Sequence, residues 1–147
     1  MERVKEELVT MLNQALELEH AARIQYLAHA EAIKGLQSEK LIERIKEIAS
    51  DEEKHEEMFR EMIGGYLGGI PTMGMSETHS AFEIQQILDV NMKQEKDAID
   101  FYKKIYKKVI DNKENLQYQF EALEHSIRHI IIDEEEHVSE LSLLMGI

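Results

Sequence analysis

Six residues stand out for the chemistry they could share. Asp51-Glu52-Glu53-Lys54-His55 and Asp133-Glu134-Glu135-Glu136-His137 each place a histidine three positions after a glutamate. On a helix that spacing puts both side chains on one face. Two further glutamates, Glu19 and Glu95, are each followed seven residues on by a tyrosine, Tyr26 and Tyr102. The order Glu, then Glu-x-x-His, thus occurs twice along the chain, as an internal repeat with two-fold pseudo-symmetry. Carboxylate oxygen and imidazole nitrogen suit iron or manganese. The chain has no cysteine. That excludes disulfides, iron–sulfur clusters, thiolate zinc sites and a thiol nucleophile.

Four helices are needed to bring these residues together, and the sequence predicts four. Glu, Lys, Leu, Ala, Ile and Gln dominate, and strand-type alternation is scarce. Breaks fall at Gly35 to Ser38, in a glycine-rich segment over 64–76 that holds the single proline, and at Asp111-Asn112-Lys113. The helices are expected over roughly 3–34, 38–63, 80–110 and 114–145, with Ser38 as an N-cap. The outer connections are short and join antiparallel neighbours, whereas the middle one is long enough to cross the bundle. Two helical hairpins joined by a long crossover make an all-α four-helix bundle, with residues 1–147 forming a single domain.

The apolar stripe of each helix can be followed at three- and four-residue spacing. The first runs Leu8, Leu12, Ala15, Glu19, Ala22, Tyr26, Ala30, Ile33, and the second Leu41, Ile45, Ile48, Glu52, His55, Phe59, Met62. The third runs Ile84, Leu88, Asn91, Glu95, Ala98, Tyr102, Ile105, Val109, and the fourth Phe120, Leu123, Ile127, Ile130, Glu134, His137, Leu141, Leu144. Each stripe carries one glutamate near its middle, so four Glu and two His are expected in one layer. Isolated buried carboxylates are costly and must pair or change their protonation. No Lys or Arg occupies the stripes at that level. Two divalent ions would cancel the four negative charges, and paired Glu-x-x-His motifs facing two more Glu are the ligand set of carboxylate-bridged two-metal bundles.

These motifs resemble the ferritin-like superfamily, and bacterioferritins most closely. The likeness covers nearly the whole chain: E-x-x-A-x-x-Q-Y from Glu19 to Tyr26, DEEKH, the Leu67-Gly68-Gly69-Ile70-Pro71 crossover, E-x-x-A-x-x-x-Y from Glu95 to Tyr102, and DEEEH. The resemblance implies a ferroxidase centre with two iron ions per chain, or manganese in their place. Glu19 and Glu95 would be terminal ligands, Glu52 and Glu134 would bridge, and His55 and His137 would each complete one metal. Fe(II) would be oxidised by dioxygen or hydrogen peroxide for iron handling and protection against oxidative stress. Bacterioferritins carry a haem-ligating Met directly after the second-helix Glu; here Glu53 stands there, so haem is not expected. Rubrerythrins add a carboxylate one turn after the third-helix Glu, where this chain has Ala98. The sequence ends at Ile147, without the fifth helix typical of bacterioferritins, so a hollow cage is not implied. The alternatives are a rubrerythrin-like peroxide reductase using an external electron donor, a di-iron oxygenase or di-manganese catalase, and a non-enzymatic iron-binding or storage protein.

Several residues carry weaker expectations. Asp51 and Asp133 could accept a hydrogen bond from Nδ1–H of the ligand histidines. Tyr26 and Tyr102 could bond ligands, although Tyr102 reads more simply as a core aromatic. His125 and His129 share a helix face and are expected to be solvated rather than to bind zinc. Lys103, Lys104, Lys107 and Lys108 read as a solvated face, because the net charge is −13 and no aromatics interleave them. No nucleic-acid partner is therefore expected. The N-terminus lacks an apolar signal segment and no stretch could span a membrane, which predicts a cytoplasmic protein. Tyr66, Leu67 and Ile70 in the crossover are apolar enough to predict a homo-oligomer.

Overall fold

A computed structural model describes residues 2–36 and 38–146. The described residues form four long helices and no strand. They are α1 (Glu2–Ala32), α2 (Ser38–Arg60), α3 (Ile84–Asp111) and α4 (Phe120–Met145). The antiparallel pairs α1–α2 and α3–α4 pack as hairpins and meet chiefly along α1 and α3. No described helix is long and apolar enough to cross a membrane.

The helix ends depart from expectation for local reasons. Ser38 is the first residue of α2 rather than its cap. Past Arg60 the chain continues as a π-helical turn, Glu61–Tyr66, in which the Leu67 N–H reaches the Met62 carbonyl at 3.1 Å. This wider turn carries the expected helix past its predicted end and swings it into the crossover. There, Gly69 donates its N–H to Ile63 at 2.7 Å, and a Cβ on Gly69 would lie 2.7 Å from a Val9 methyl. Helix α3 begins at Ile84, not at 80, because Glu83 is extended (ψ 144°) and its N–H is taken by the Gln86 side chain at 3.4 Å. Helix α4 begins at Phe120, not at 114. A 3-10 turn over Lys113–Asn115 first drives Leu116 into the core, where it is fully buried. Gly146, in the left-handed conformation that a Cβ disfavours, ends α4.

Residues 67–83 form a strap along α1. Asn13 donates to the Ile70 carbonyl at 3.1 Å and accepts from the Thr72 N–H at 2.8 Å; Thr72 Oγ1 donates to Glu17 at 2.5 Å. His20 Nδ1 lies 2.7 Å from the Gly74 carbonyl. Higher on α1, Gln25 Oε1 accepts from the His79 N–H at 2.6 Å, and His29 Nε2–H donates to the His79 carbonyl at 2.8 Å.

The interior divides into two apolar clusters. One gathers Leu8, Leu12, Leu16, Phe59, Tyr102 and Leu123 with their neighbours. The other gathers Tyr26, Ile45, Ile48, Leu88, Met92 and Leu141 with theirs. The interior stripes hold as traced except at helix ends and edges. Ala22, Leu41 and Phe120 are only half-buried, and Ile84 and Leu144 are exposed. Between the two clusters lies a layer of charge.

Candidate metal centre

That layer holds Glu19, Glu52, His55, Glu95, Glu134 and His137, each no more than 3% exposed. One comes from α1, two from α2, one from α3 and two from α4, as the helical period requires. Two groups of ligand atoms converge. Glu19, Glu52, His55 and Glu134 bring one atom each within 4.8 Å of one another, and so do Glu52, Glu95, Glu134 and His137. Glu52 and Glu134 belong to both groups. The arrangement is therefore a pair of buried carboxylate–imidazole sites with a shared middle, matching a dinuclear metal centre.

The outer contacts fix which atoms face inward. His55 Nε2–H donates to Asp133 Oδ2 at 2.9 Å, and His137 Nε2–H donates to Asp51 Oδ2 at 2.9 Å. The aspartates thus act on Nε2, not on the expected Nδ1, and each partners the histidine of the opposite hairpin. The side chain leaves Cα on a helix aimed at the layer, so its near nitrogen, Nδ1, meets the glutamates and its far nitrogen meets the outer acid. Tyr26 donates its hydroxyl to Glu95 at 2.7 Å, and Tyr102 donates to Glu19 at 2.8 Å. Tyr102 is therefore a partner of the centre rather than only a core aromatic. All four bonds cross between hairpins and obey the two-fold pseudo-symmetry.

After these bonds, one atom on every member of the layer has no hydrogen-bond partner: Glu19 Oε2, Glu52 Oε1, His55 Nδ1, Glu95 Oε2, Glu134 Oε1 and His137 Nδ1. His55 Nδ1 lies 3.1 Å from Glu134 Oε1, and His137 Nδ1 lies 3.4 Å from Glu52 Oε1, but neither approach completes a hydrogen bond. Leaving buried polar groups unmatched is costly. Six of them converging from four helices fit a cation that is bound, and oxygen with imidazole donors suits iron or manganese.

Electrostatics make the same demand. Burial and the charge of Glu134 raise Glu19. Burial and the charges of Glu134, Glu19 and Glu95 push Glu52 well above the carboxylate range. Burial and Glu134 push Glu95 up to about 8. Burial also opposes ionisation of Glu134, but the imidazoles of His137 and His55 close beside it, with Glu52, override burial and hold Glu134 well below its ordinary value. Burial pulls both imidazoles down, yet Asp133, Glu134, Glu19 and Glu52 hold His55 high, and Glu134 with Glu95 holds His137 at about 11. Without a metal, protons carry the compensating charge. Burial and the facing carboxylates raise both tyrosines, so each keeps the proton it donates.

A second buried polar cluster lies one turn away, and only Asn91 of it shows in the helix stripes. Gln25 donates to Asn91 Oδ1 at 2.9 Å, and Asn91 Nδ2 lies 3.0 Å from His29 Nδ1 while donating to the Ile87 carbonyl at 2.7 Å. Gln25 and His29 each reach the strap as well, so the cluster ties α1, α3 and the crossover together. Glu56, 4% exposed, is matched by Arg23 Nε at 2.5 Å. On the surface, His125 and His129 lie side by side with ring centres 6.4 Å apart. Lys103, Lys107 and Lys108 pair with Glu135, Asp111 and Glu7, so these three of the four lysines are locally neutralised.

No curated protein matches the chain in sequence. A ferritin-like, diiron-carboxylate protein from Bacillus anthracis is 26% identical, covers 98% of this chain and 99% of its own, and superposes with a TM-score of 0.89. The bacterioferritin of Desulfovibrio desulfuricans, described for its diiron site in different catalytic states, is also 26% identical; 97% of this chain and 80% of that one align, with a TM-score of 0.85. The dodecameric thioferritin of Bacteroides fragilis shares the fold at 24% identity and a TM-score of 0.81, over 97% and 86% of the two chains. The sequence profile of the ferritin family, described as a ferritin-like domain, matches residues 9–146, and the chain belongs to that family.

Proposed function

We propose that the protein is a di-iron ferroxidase of bacterioferritin-like type. It oxidises Fe(II) with dioxygen or hydrogen peroxide, in iron handling and defence against oxidative stress. The observation that carries this reading is the convergence of six unpartnered buried atoms on one layer. Glu19 with His55 would hold one ion and Glu95 with His137 the other, while Glu52 and Glu134 would bridge them. A bound iron pair supplies reversible one-electron chemistry and open positions for the oxidant.

The chain's own groups prepare the layer for this. Asp133 and Asp51 take the Nε2–H of His55 and His137, which aims each Nδ1 lone pair inward once its proton leaves. Tyr102 and Tyr26 each hold one oxygen of Glu19 and Glu95, so the other oxygen faces the layer. The apolar clusters on both sides exclude water and lower the local dielectric. With peroxide, two ferrous ions and two protons give two ferric ions and two waters. The carboxylate and imidazole protons are expelled to solvent when metal binds, so the two protons of the later step come from solvent.

An anaerobic Fe(II) titration, followed by oxidant, tests the reading. Binding should saturate at two ions per chain, one for each convergent group. Peroxide should then be consumed at about one per two Fe(II). A Glu52→Ala, Glu134→Ala double variant should lose both the binding and the oxidation. Asp133→Ala should weaken metal affinity by about tenfold to a hundredfold. Full binding by the double variant would refute the assignment.

Stability against pH follows from the same layer. Glu95 moves from 4.5 to about 8 and His137 from 6.5 to about 11 on folding. Both are raised, so each favours folding fully below its unfolded value and loses that contribution as pH climbs through its folded value. Glu134 is lowered, and its contribution is lost only as pH falls below the ordinary carboxylate range. Metal-free protein should therefore lose urea stability steadily from pH 5 to 8. Mn(II) should reverse the slope, because binding requires deprotonated ligands. Parallel urea midpoints with chelator and with Mn(II) would count against a shared buried site.

The protein is also expected to self-associate. Of the crossover residues that predict it, Leu67 is half-buried against the core and Tyr66 is 38% exposed, while Ile70 is 85% exposed; Met73 and Phe82 of the strap are also exposed, apolar side chains that a second copy would cover. Light scattering at micromolar concentration should give a mass above that of one chain, and a monomer would overturn this.

A further inference from the structure

Gln25 and His29 on α1, Asn91 on α3 and the backbone of His79 on the strap close a ring of hydrogen bonds. The His79 N–H donates to Gln25 Oε1 at 2.6 Å, and Gln25 Nε2 donates to Asn91 Oδ1 at 2.9 Å. Asn91 Nδ2 donates to His29 Nδ1 at 3.0 Å, and His29 Nε2–H donates to the His79 carbonyl at 2.8 Å. All four bonds run in one sense, which the two backbone groups of His79 impose as a fixed donor and a fixed acceptor. The spare groups are used as well. The second amide hydrogen of Asn91 goes to the Ile87 carbonyl at 2.7 Å, and Gln94 bonds both ends of the Gln25 amide, at 2.5 and 3.3 Å. Gln25, His29 and Asn91 are each no more than 4% exposed. The positions that the internal repeat makes equivalent to them are Phe101, Ile105 and Ala15, so the other half of the bundle closes without such a ring.

The ring admits one state of His29, with a proton on Nε2 and none on Nδ1. A second proton would set Nδ1–H against the Asn91 amide hydrogens. Turning the Asn91 amide over does not cure this, because Nδ2 would then face Gln25 Nε2 and the Ile87 carbonyl would lose its donor. Turning Gln25 as well would set its amide hydrogens against the His79 N–H. We propose that the ring is an acid-sensitive latch, which holds the upper strap to α1 and α3 while His29 is neutral and releases it when His29 takes up a proton. Burial holds His29 below the ordinary histidine value of 6.5, and the bond to the His79 carbonyl opposes this only in part. No acid faces His29 to stabilise its charged form. On α1 the recess beside it is lined by Ile24, Ala28 and Ala32, on α3 it meets the Asn91 amide, and on the strap its titratable neighbour is the exposed His79 imidazole. The acids nearest along these elements are engaged elsewhere or exposed. Glu31 lies 3.3 Å from Lys46 of α2, Asp89 accepts from Gln85, Glu95 accepts from Tyr26, and Glu77 and Glu83 of the strap are exposed. The lower strap is held differently. His20 Nδ1–H donates to the Gly74 carbonyl in either charge state of the imidazole, and Glu17 holds Thr72 and the Ser76 N–H. Acid should therefore free residues 77–83 and leave 70–76 in place.

Hydrogen–deuterium exchange at the His79 amide of the purified full chain tests the latch. It is read by mass spectrometry between about pH 7 and 5 and corrected for the intrinsic pH dependence of exchange. A histidine held below its ordinary value favours the closed state above that value and loses its hold as pH falls. Protection at His79 should drop by up to about tenfold for each pH unit below about 6.5, with mid-helix amides of α3 and α4 unchanged. The carboxylate layer acts in the other direction, since Glu95 and His137 favour the folded state in acid and give up their protons at about 8 and about 11, above this range. His29→Gln offers the same acceptor and donor without titrating and should keep protection flat. His79→Gln removes an imidazole but no member of the ring and should leave the drop intact. No drop in the unaltered chain, a drop that persists in His29→Gln, or one that vanishes in His79→Gln would overturn the proposal. If His29→Gln fails to fold or leaves the His79 amide unprotected at neutral pH, the unaltered chain decides. Slow exchange at the C2–H of each histidine reads its titration. Opening that follows His29 supports the latch, and opening that follows another histidine overturns it while leaving the metal centre standing.

Discussion

Four carboxylates buried in one layer set the terms for the rest of this molecule. A carboxylate in a dry interior is costly, and four that face each other are worse, because each opposes ionisation of the next. The fold answers in two ways. It supplies two imidazoles, which Asp51 and Asp133 orient through Nε2. It also leaves six inward atoms for an external cation to satisfy. The apolar clusters on either side must be large enough to stabilise a bundle that carries this burden. Their division into two halves around the charge is the structural consequence.

The same constraint explains the cross-hairpin bonding. Neither hairpin alone could hold its half of the centre, since the tyrosine and the aspartate that orient its ligands lie on the other. Tyr26 on α1 supports Glu95 on α3, and Tyr102 on α3 supports Glu19 on α1. Docking of the hairpins and formation of the centre are therefore one event. The strap contributes by lying along α1 and locking Gln25 and His29 beside the layer.

The fold and the composition of the layer were legible in the sequence because the helical period is regular. Glu-x-x-His at two places, with a lone Glu on each partner helix, leaves no other face for these residues once the stripes are traced. What the sequence did not disclose depends on contacts between elements. The π-helical turn after Arg60 leads into the crossover, where Gly69 lies too close to Val9 for a Cβ, a contact between elements that no local pattern encodes. The late start of α4 follows from Leu116 entering the core, although a helical pattern runs through it. The aspartate pairing was misassigned to Nδ1 because chain adjacency to Glu52 says nothing about which nitrogen, on which opposite helix, lies near. Gln25 and His29 were missed for a related reason. They lie off the main stripe and face the strap, and only the position of Asn91 on its stripe, four residues before Glu95, hinted at a second polar layer.

Anomalous X-ray diffraction from protein loaded with Mn(II), collected at the manganese edge, tests the central claim most directly. The account predicts two peaks in the layer, about 3.5–4 Å apart. One should lie against Nδ1 of His55 with Glu19, the other against Nδ1 of His137 with Glu95, and Glu52 and Glu134 should lie between them. A single peak, or metal bound only at surface acids while the layer keeps its protons, would contradict it.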